Sequence, residues 1–255
     1  MIPPLANPAG RQITIDVLTP TVALAVAAHP DDVEFQAGAT LARWAAAGCS
    51  IHHLILTDGS KGTWDPTADP ALLVAERERE QRAAAQRLGG ADGGVRFLRW
   101  PDGELEAGQR QRAQVAAAIR EVRPEVVLGH DPWRRYRLHP DHRNAGWLVC
   151  DGIVAGRDPL FFAELGIAHH RPRALLLWEA DEPNHVEVAD DHALAAKVAA
   201  LLEHRSQFVT THGITDETDS AQLTAFSARV RARLVERGSV AGAPMGESFR
   251  LIDDL

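Results

Sequence analysis

The sequence predicts an α/β fold, with a mostly parallel sheet and helices on both faces. Short apolar runs alternate along the chain with longer segments of helical character, which is typical of βαβ units. The run VALAVAA at 22–28 is continuously apolar, as expected of a strand that is buried on both faces. No internal repeat and no long linker interrupts this order, so we expect a single domain.

Each element follows from this alternation. The first strand leads into a helix, GATLARWAAAG, that ends at Gly48, and glycine commonly ends helices. Further strands are expected at 51–57, 95–100, 125–130 and 174–180. Further helices are expected at 69–90, 109–122, 141–156, 190–207 and 224–238. The final segment, GESFRLIDDL, is expected to be a tail.

The charge and cysteine content exclude several classes of protein. A formal charge of −8 and an isoelectric point near 5.8 disfavour a nucleic-acid-binding protein, which needs a basic face to replace counterions at phosphates. Cys49 and Cys150 are too few and too far apart for a disulfide framework or a cysteine-based zinc site. No run of about 18 apolar residues occurs, and the first residues lack a signal-peptide pattern. We expect a cytoplasmic protein without a membrane span.

Polar side chains follow the predicted strands at the points where the strands end. In open α/β sheets, ligands bind outside the carboxyl ends of the strands. The sequence therefore predicts a functional site at one edge of the sheet. The residues at these positions are His29, Asp31, Asp32, Asp58, Gly59, Asp102, Gly103, His130, Asp131 and Glu179.

The motif AHPDD, which follows the first strand, indicates half of a metal site. His29 and Asp32 offer a nitrogen and a carboxylate oxygen, both of which Zn²⁺ accepts, and Pro30 stiffens the turn between them. Asp31 points elsewhere in such a turn and is free to accept a proton from a metal-bound water.

The motif HPDH at 139–142 can supply the other half. A catalytic zinc site takes three protein ligands and keeps one open position. Pro140 suits the first turn of a helix, and His139 and His142 then share one helix face. The spacing leaves open which of the two histidines binds the metal and which faces the substrate.

These motifs, in their order, resemble those of the PIG-L/LmbE-type zinc-dependent N-acetylglucosaminyl deacetylases. The matching stretches are AHPDD, TDGSKGTW, RAAAQRLGG, PDGEL, HPDH and HRSQ, and the resemblance extends over residues 22–207. The resemblance implies a Rossmann-like fold in a single LmbE-like domain over residues 1–255. It also implies a small amino-sugar substrate from which an N-acetyl group is removed. Members often form trimers or hexamers, so a homo-oligomer is compatible with it.

The resemblance assigns the metal ligands, and so decides between the two histidines of HPDH. The implied cofactor is Zn²⁺, although Fe²⁺ suits the same donors. The implied ligands are His29, Asp32 and His142.

The resemblance also assigns the catalytic residues. Asp31 would be the base that activates the metal-bound water. His139 would be the charged imidazole that stabilises the oxyanion and protonates the departing amine, and Asp141 would orient His139. The chain departs from the family pattern at one position. Some members carry a tyrosine two residues before the first histidine of HPDH, where this chain has Arg137, with Tyr136 one position earlier.

Two further residues are candidates for substrate binding. Asp102 in PDGEL can accept hydrogen bonds from sugar hydroxyls, or it can be part of a turn-forming Asp-Gly pair. Arg77 lies where similar enzymes place an arginine near the substrate, or it can belong to a solvated helix face. His53 is expected at the surface, whereas His204 is expected to be structural or to support the site.

The sequence excludes two common classes of α/β enzyme and leaves two alternatives. A dinucleotide-binding oxidoreductase would need a glycine-rich turn where AHPDDVE stands. A serine hydrolase would need a G-x-S-x-G elbow, which is absent. One remaining alternative is an amidase that cleaves a thiol-sugar (mycothiol-type) S-conjugate. The other is a non-catalytic metal-binding protein, against which Asp31 argues because binding alone does not require it.

Overall fold

The computed structural model describes residues 13–90 and 94–255, and these are arranged around one eight-stranded sheet. Residues 1–12, on which the expectation about a signal peptide rests, lie outside this part of the chain. Across the sheet the strand order is β1-β7-β8-β6-β5-β2-β3-β4. The strands are, in chain order, Thr14–Ile15 (β1), Val22–Ala27 (β2), Ser50–Thr57 (β3), Val95–Trp100 (β4), Val126–His130 (β5), Ala174–Trp178 (β6), His185–Val188 (β7) and Gly246–Ile252 (β8).

The sheet is mostly parallel and its two faces are covered by helices, which confirms the predicted fold class. Only β8 runs antiparallel to its neighbours, β6 and β7. Within the described residues, no helix is both long and apolar enough to cross a bilayer. The helices are Asp32–Ala46 (α1), Pro70–Arg87 (α2), Gln109–Val122 (α3), Pro140–Arg157 (α4), Asp191–Leu201 (α5) and Ser220–Ser239 (α6).

Strand β2 is apolar throughout because its side chains enter two separate cores. Ala23 and Ala25 pack on one face with residues of α1 and α2. Leu24 and Val26 pack on the other face with residues of α3 and α4. A third core joins α5 and α6 outside α1. Burial on both faces accounts for the continuous run that predicted this strand.

The strand order reverses beside β2, and this reversal determines where a ligand can bind. From β2 the chain passes to β3 and β4 on one side and then to β5 on the other side of β2. The carboxyl ends of β2 and β5 therefore border a crevice, which is where open α/β sheets bind ligands. Strand β2 ends at Ala27 and His29 lies two residues further along the chain, whereas His130 is the last residue of β5.

The predicted C-terminal tail is wrong, because the segment forms strand β8 between β6 and β7. Strand β8 contains two charged residues, Glu247 and Arg250, which interrupt the apolar pattern expected of a buried strand. Glu247 is fully buried, where it pairs with Lys197, whereas Arg250 is partly exposed. The short strands β1 and β7 were also missed, since each is only two to four residues long.

Three helix boundaries differ from the expectation by four residues or more, and one of them is the start of α6 at Ser220 rather than at Thr224. Helix α1 begins at Asp32, six residues earlier than predicted, so the AHPDD motif leads directly into a helix N-terminus. Helix α5 ends at Leu201, and the HRSQ segment forms a short 3-10 turn at Arg205–Gln207.

Candidate metal centre and active site

The turn between β2 and α1 is buried and has an unusual backbone conformation. Asp31 precedes the helix with φ at +99°, a region that favours glycine. Asp32 begins α1, and its Oδ2 accepts a hydrogen bond from the backbone N–H of His29 at 2.8 Å. His29, Asp31 and Asp32 are all less than one-tenth exposed. The turn therefore points the carboxylates of Asp31 and Asp32 in different directions, although its positive φ is one that an aspartate rarely adopts.

The HPDH motif opens helix α4 as its sequence predicts. His139 is the N-cap residue, and its Nδ1 accepts a hydrogen bond from the backbone N–H of Asp141 at 3.3 Å. This contact favours a neutral ring with its hydrogen on Nε2 over the charged ring that the resemblance implies, and burial, with repulsion from His29 and His142, also lowers the pKa of His139. Pro140 occupies the first helical position, and the His142 ring stacks on that of His139 with centroids 4.8 Å apart.

Donor atoms of three residues from these two motifs converge with the spacing of a metal site. His29 Nδ1 lies 3.1 Å from His142 Nε2 and 3.5 Å from the Asp32 Oδ2 atom, and His142 Nε2 lies 3.3 Å from Asp32 Oδ1. Ligand atoms bound tetrahedrally at 2.0–2.2 Å lie about 3.3–3.6 Å from one another. Two imidazole nitrogens and a carboxylate at this spacing fit a divalent cation.

The second ring nitrogen of His29 is held by two carboxylates. His29 Nε2 lies 3.1 Å from both Asp102 Oδ1 and Asp141 Oδ2. Burial opposes a charge on His29, but these hydrogen bonds and Asp32 raise its pKa well above the usual value. Metal-binding histidines generally donate their other N–H to such a carboxylate, which fixes the ring and its tautomer. The contacts therefore leave Nδ1 as the nitrogen of His29 that is available to bind a metal.

Asp32 is ionised despite its burial. Burial alone would raise its pKa, but His142 and His130 lower it well below the usual value. His130 Nε2 lies 3.3 Å from Asp32 Oδ2, and burial lowers the pKa of His130 to about 4, so this ring is neutral. The His130 ring also stacks on His142 at 4.5 Å.

Arg137 occupies the position where some relatives carry a tyrosine. Its Nη1 donates to His142 Nδ1 at 2.9 Å, which puts the hydrogen of neutral His142 on Nε2, so a cation can bind Nε2 only when this contact breaks. Its Nη2 donates to Glu179 Oε2. Tyr136 is 93% exposed. Sequence reasoning did not assign the Arg137–Glu179 pair, although Glu179 was recognised as a strand-end residue.

Two other groups of side chains in the described residues could also hold a cation. One of them contains His29 together with Asp102 and Asp141, which already contact His29 Nε2. The other contains Glu179, whose charge is already paired with Arg137 and Arg134. The donor set of the first two motifs therefore fits a metal best. The other groups are His29, Asp102, His139 and Asp141, and His130, His142 and Glu179.

Asp31 lies beside the three donors without belonging to them. Its carboxylate is buried, and its Oδ2 lies 3.7 Å from Arg77 Nη2. Burial raises the pKa of Asp31 to about 6, with Asp32 also raising it and Arg77 lowering it. The side chain lines the same pocket as the donors, which places a carboxylate where a water or a substrate meets the site.

A buried polar network behind Asp31 was missed by sequence reasoning. Gln81 Oε1 accepts a hydrogen bond from the backbone N–H of Asp31 at 2.9 Å, and Gln81 Nε2 donates to Glu34 Oε1 at 2.7 Å. His204 Nε2 lies 3.5 Å from Glu34 Oε2. His53 Nδ1 lies 3.3 Å from Gln81 Nε2, and the predicted surface location of His53 is wrong because the residue is 2% exposed.

The two candidate substrate-binding residues line the pocket, but each also makes contacts that support the site. Arg77 is 3% exposed and donates to the carbonyl oxygens of Gly59 and Pro30. Asp102 accepts from the backbone N–H of Lys61 at 3.0 Å besides its contact with His29, which lowers its pKa to about 2 against the effect of burial. Their part in substrate binding stays a prediction.

The carboxylate of Asp141 contacts residues other than the one predicted. Its oxygens accept hydrogen bonds from the backbone N–H groups of Gly103 and Leu105, at 2.6 and 3.1 Å, and one of them contacts His29. Its link to His139 runs through the backbone N–H of Asp141 instead. A role for this carboxylate in orienting His139 stays a prediction.

A pocket of about 620 Å³ opens over these residues. At one end it is lined by His29, Asp31, Asp32, Asp102, His139 and His142. It continues past Lys61 and Gln207 to helix α6. Binding sites for small molecules commonly have volumes of about 300–1,000 Å³, so the pocket has room for a ligand larger than the group that meets the metal.

Comparison with known proteins places these features in one family. Residues 24–152, which contain both motifs, match the model of the PIG-L family, described as GlcNAc-PI de-N-acetylase. Diacetylchitobiose deacetylase from Thermococcus kodakarensis is 32% identical over 189 residues, covering 72% of this chain and 69% of that protein. A 1D-myo-inositol 2-acetamido-2-deoxy-alpha-D-glucopyranoside deacetylase from Mycolicibacterium vanbaalenii is 30% identical, covering 91% of this chain and 85% of that protein.

A solved structure agrees with this family assignment. N,N'-diacetylchitobiose deacetylase from Pyrococcus horikoshii superimposes with a TM-score of 0.80 at 26% identity, covering 92% of this chain and 84% of that one. The similarity therefore extends beyond the region matched by the family model to nearly the whole chain. On its sequence, its fold and its convergent histidine and aspartate side chains, the chain belongs to the PIG-L family of deacetylases.

Proposed function

We propose that this protein is a zinc-dependent hydrolase that removes the N-acetyl group from an N-acetylglucosamine-type substrate. The observation that carries the proposal is the convergence of His29 Nδ1, His142 Nε2 and the Asp32 carboxylate within 3.5 Å of one another, with Asp31 beside them. The relatives that cover most of the chain are named as deacetylases of acetamido sugars, which supports this substrate class.

The donor set supports zinc as the metal. Zinc accepts histidine nitrogen and carboxylate oxygen in a tetrahedral site, and three protein ligands leave one position open for chemistry. Fe²⁺ is the alternative, because the same donors suit it. When bound, such an ion acts as a Lewis acid that lowers the pKa of water from 15.7 to about 7 and polarises a carbonyl oxygen.

The remaining residues of the site have distinct tasks in this proposal. Asp31 takes the proton of the attacking water on its free carboxylate oxygen. His139 donates its Nε2 hydrogen to the carbonyl oxygen as negative charge develops there and keeps that hydrogen throughout. Asp31 then passes the proton that it took from the water to the nitrogen of the departing amine as the C–N bond breaks. Asp102 and Asp141 keep His29 in the tautomer that leaves Nδ1 for the metal.

The test combines an activity assay with elemental analysis. Purified protein should release acetate and a free amine from N-acetylglucosamine or its glycosides, and should contain about one zinc per chain. The Asp31→Asn variant should keep its metal while hydrolysis falls by about 10²–10⁴-fold, the usual contribution of a positioned base.

The same assay separates the alternatives. Hydrolysis of a thiol-sugar S-conjugate in preference to acetamido sugars would replace the deacetylase with a different amidase. Metal binding without hydrolysis of either substrate would indicate a non-catalytic metal-binding protein. Full activity in Asp31→Asn would contradict the assignment of the base.

A further inference from the structure

The pocket has a second end that the proposed chemistry does not use. Opposite the metal donors it is lined by the apolar side chains of Phe35, Phe226 and Val230 and by two arginines of helix α6, Arg229 and Arg233. Among the described residues that line this end, none is an aspartate or a glutamate. The two ends therefore differ in charge, since the metal end contains three aspartates.

The basic character of this end comes from three side chains that line it, which we call the basic wall: Lys197, Arg229 and Arg233. Arg229 and Arg233 are exposed and are spaced four residues apart on α6, so they lie along one side of the helix. Lys197, from α5, is buried.

The positive charge of the basic wall exceeds the negative charge of the carboxylates that contact it. Lys197 pairs with Glu247 at 2.5 Å. Within the described part of the chain Arg229 and Arg233 have no carboxylate partner, and Arg229 donates to the backbone oxygen of His212. Arg233 makes no hydrogen bond or ion pair there.

Another arginine of α6 is paired differently. The chain has a net charge of −8, and Arg231 on the same helix is paired with Asp191 at 2.7 Å. Burial lowers the pKa of Lys197, its partner Glu247 raises it, and repulsion from Arg233 lowers it. Cations that repel one another at the wall of a pocket favour an anion there.

We propose that this end of the pocket binds an anionic group of the substrate, a phosphate or a carboxylate that is joined to the amino sugar on the side away from the acetamide. Arg229 and Arg233 are its ligands, since a guanidinium group presents paired N–H donors that match both anions. Phe35, Phe226 and Val230 contact the part of the substrate that links the anion to the sugar. This inference rests on the proposed function and specifies its substrate class.

The test uses glycosides of N-acetylglucosamine that differ only in the end of an alkyl chain. Each end group, a phosphate, a carboxylate or a hydroxyl, is placed on chains of several lengths, so that one length matches the distance from the sugar to the basic wall. At the best length, kcat/KM for the anionic glycosides should exceed that for the hydroxyl-ended one by about tenfold or more, as expected for a charge-assisted hydrogen bond. The preference should weaken as ionic strength rises.

Two variants separate a specific site from a general effect of charge. Arg233→Gln should lose most of the preference for the anionic glycosides while keeping kcat/KM for the hydroxyl-ended one. Arg231→Gln removes the same charge from the same helix, but at a residue paired with Asp191, and should keep the preference. Equal effects of the two variants, or equal kcat/KM for the three chain ends at every length, would overturn the proposal.

Binding to the Asp31→Asn protein distinguishes this failure from a failure of the proposed function. Calorimetry should show tighter binding of the anionic glycosides to Asp31→Asn, and loss of that difference when Arg233→Gln is added. If no glycoside is hydrolysed but this pattern holds, the anion site stands and the deacetylase does not. If all glycosides are hydrolysed and bound alike, the deacetylase stands and the anion site does not. A preference that survives Arg233→Gln would place the anion at the metal end and overturn the proposal.

Discussion

The backbone N–H of Asp31 donates a hydrogen bond to Oε1 of Gln81, 2.9 Å away on helix α2. Asp31 has a φ of +99°, a conformation that costs an ordinary residue about 1–3 kcal/mol. Gln81 is fully buried, and its Nε2 donates to Glu34 on α1 at 2.7 Å. The amide of Gln81 thus joins two helices to the turn that directs the Asp31 carboxylate into the pocket.

We expect Gln81→Leu to lower kcat by about 10²-fold while KM and metal content change little, because a small misplacement of a catalytic group costs about that much. The measurement is steady-state kinetics with elemental analysis, at a temperature where the variant is folded. Arg79→Gln is the matched control, since Arg79 lies on the same helix and its side chain is 73% exposed. Unchanged kcat in a folded Gln81→Leu protein would show that Gln81 does not position Asp31.

His139→Ala should reduce kcat more than it raises KM. If His139 donates to the oxygen that becomes charged only in the transition state, its loss should cost about 10²–10³-fold in rate. The ring also accepts the backbone N–H of Asp141 at the start of α4, so thermal unfolding should be recorded beside the kinetics. An increase in KM at constant kcat would instead indicate that His139 only binds the substrate.

The buried pair Lys197–Glu247 should contribute strongly to stability. Both side chains are at most 2% exposed, and Glu247 also accepts hydrogen bonds from Thr40. Lys197→Met leaves Glu247 buried without its cation, so the free energy of unfolding should fall by about 3–5 kcal/mol. The exposed pair Arg231–Asp191 is the comparison, and Arg231→Ala should cost less than about 1 kcal/mol. Equal losses in urea denaturation would contradict this account.

His212 should make the protein less stable as the pH falls from 6.5 towards 3. The ring lies among Phe35, Phe208 and Phe226, and burial, followed by repulsion from His204 and Arg229, lowers its pKa to about 3. Between these values the unfolded chain binds a proton that the folded chain does not, so stability is full above pH 6.5 and declines below it.

The contribution of this one group reaches about 1.4 kcal/mol per pH unit. His212→Phe should remove that part of the slope. The measurement is the free energy of unfolding of the original protein and of His212→Phe, each at pH 7.5 and at pH 5. When the change of one protein between the two pH values is subtracted from that of the other, the contributions of other groups cancel. The same loss of stability in both proteins would show that His212 is not held neutral.

The sequence predicted the fold class and the place of the site because both follow from local patterns. A continuous apolar run marked β2 as buried on both faces, and the parallel order placed His29 and His142 at one edge. Strand β8 could not be predicted from its own sequence. Glu247 gave it a polar pattern, and the cation that pairs with Glu247 comes from α5, about 50 residues earlier in the chain.

The interior of the site could not be predicted for a similar reason. Gln81 lies in a stretch that contains AERERE, which is typical of an exposed helix, yet α2 turns this side chain inward towards Glu34 and His53. The Asp141 carboxylate contacts His29, over 100 residues away, rather than its neighbour His139. Contacts between distant elements leave no periodic signal in either segment.

The central claim is that His29, Asp32 and His142 hold one metal ion. Anomalous diffraction at the zinc absorption edge, from crystals of metal-loaded protein, tests it most directly. The account predicts one peak about 2.0–2.2 Å from a nitrogen of each histidine and an oxygen of Asp32. A peak held instead by Asp102, His139 and Asp141, or by His130 and Glu179, would contradict the ligand assignment and the mechanism built on it.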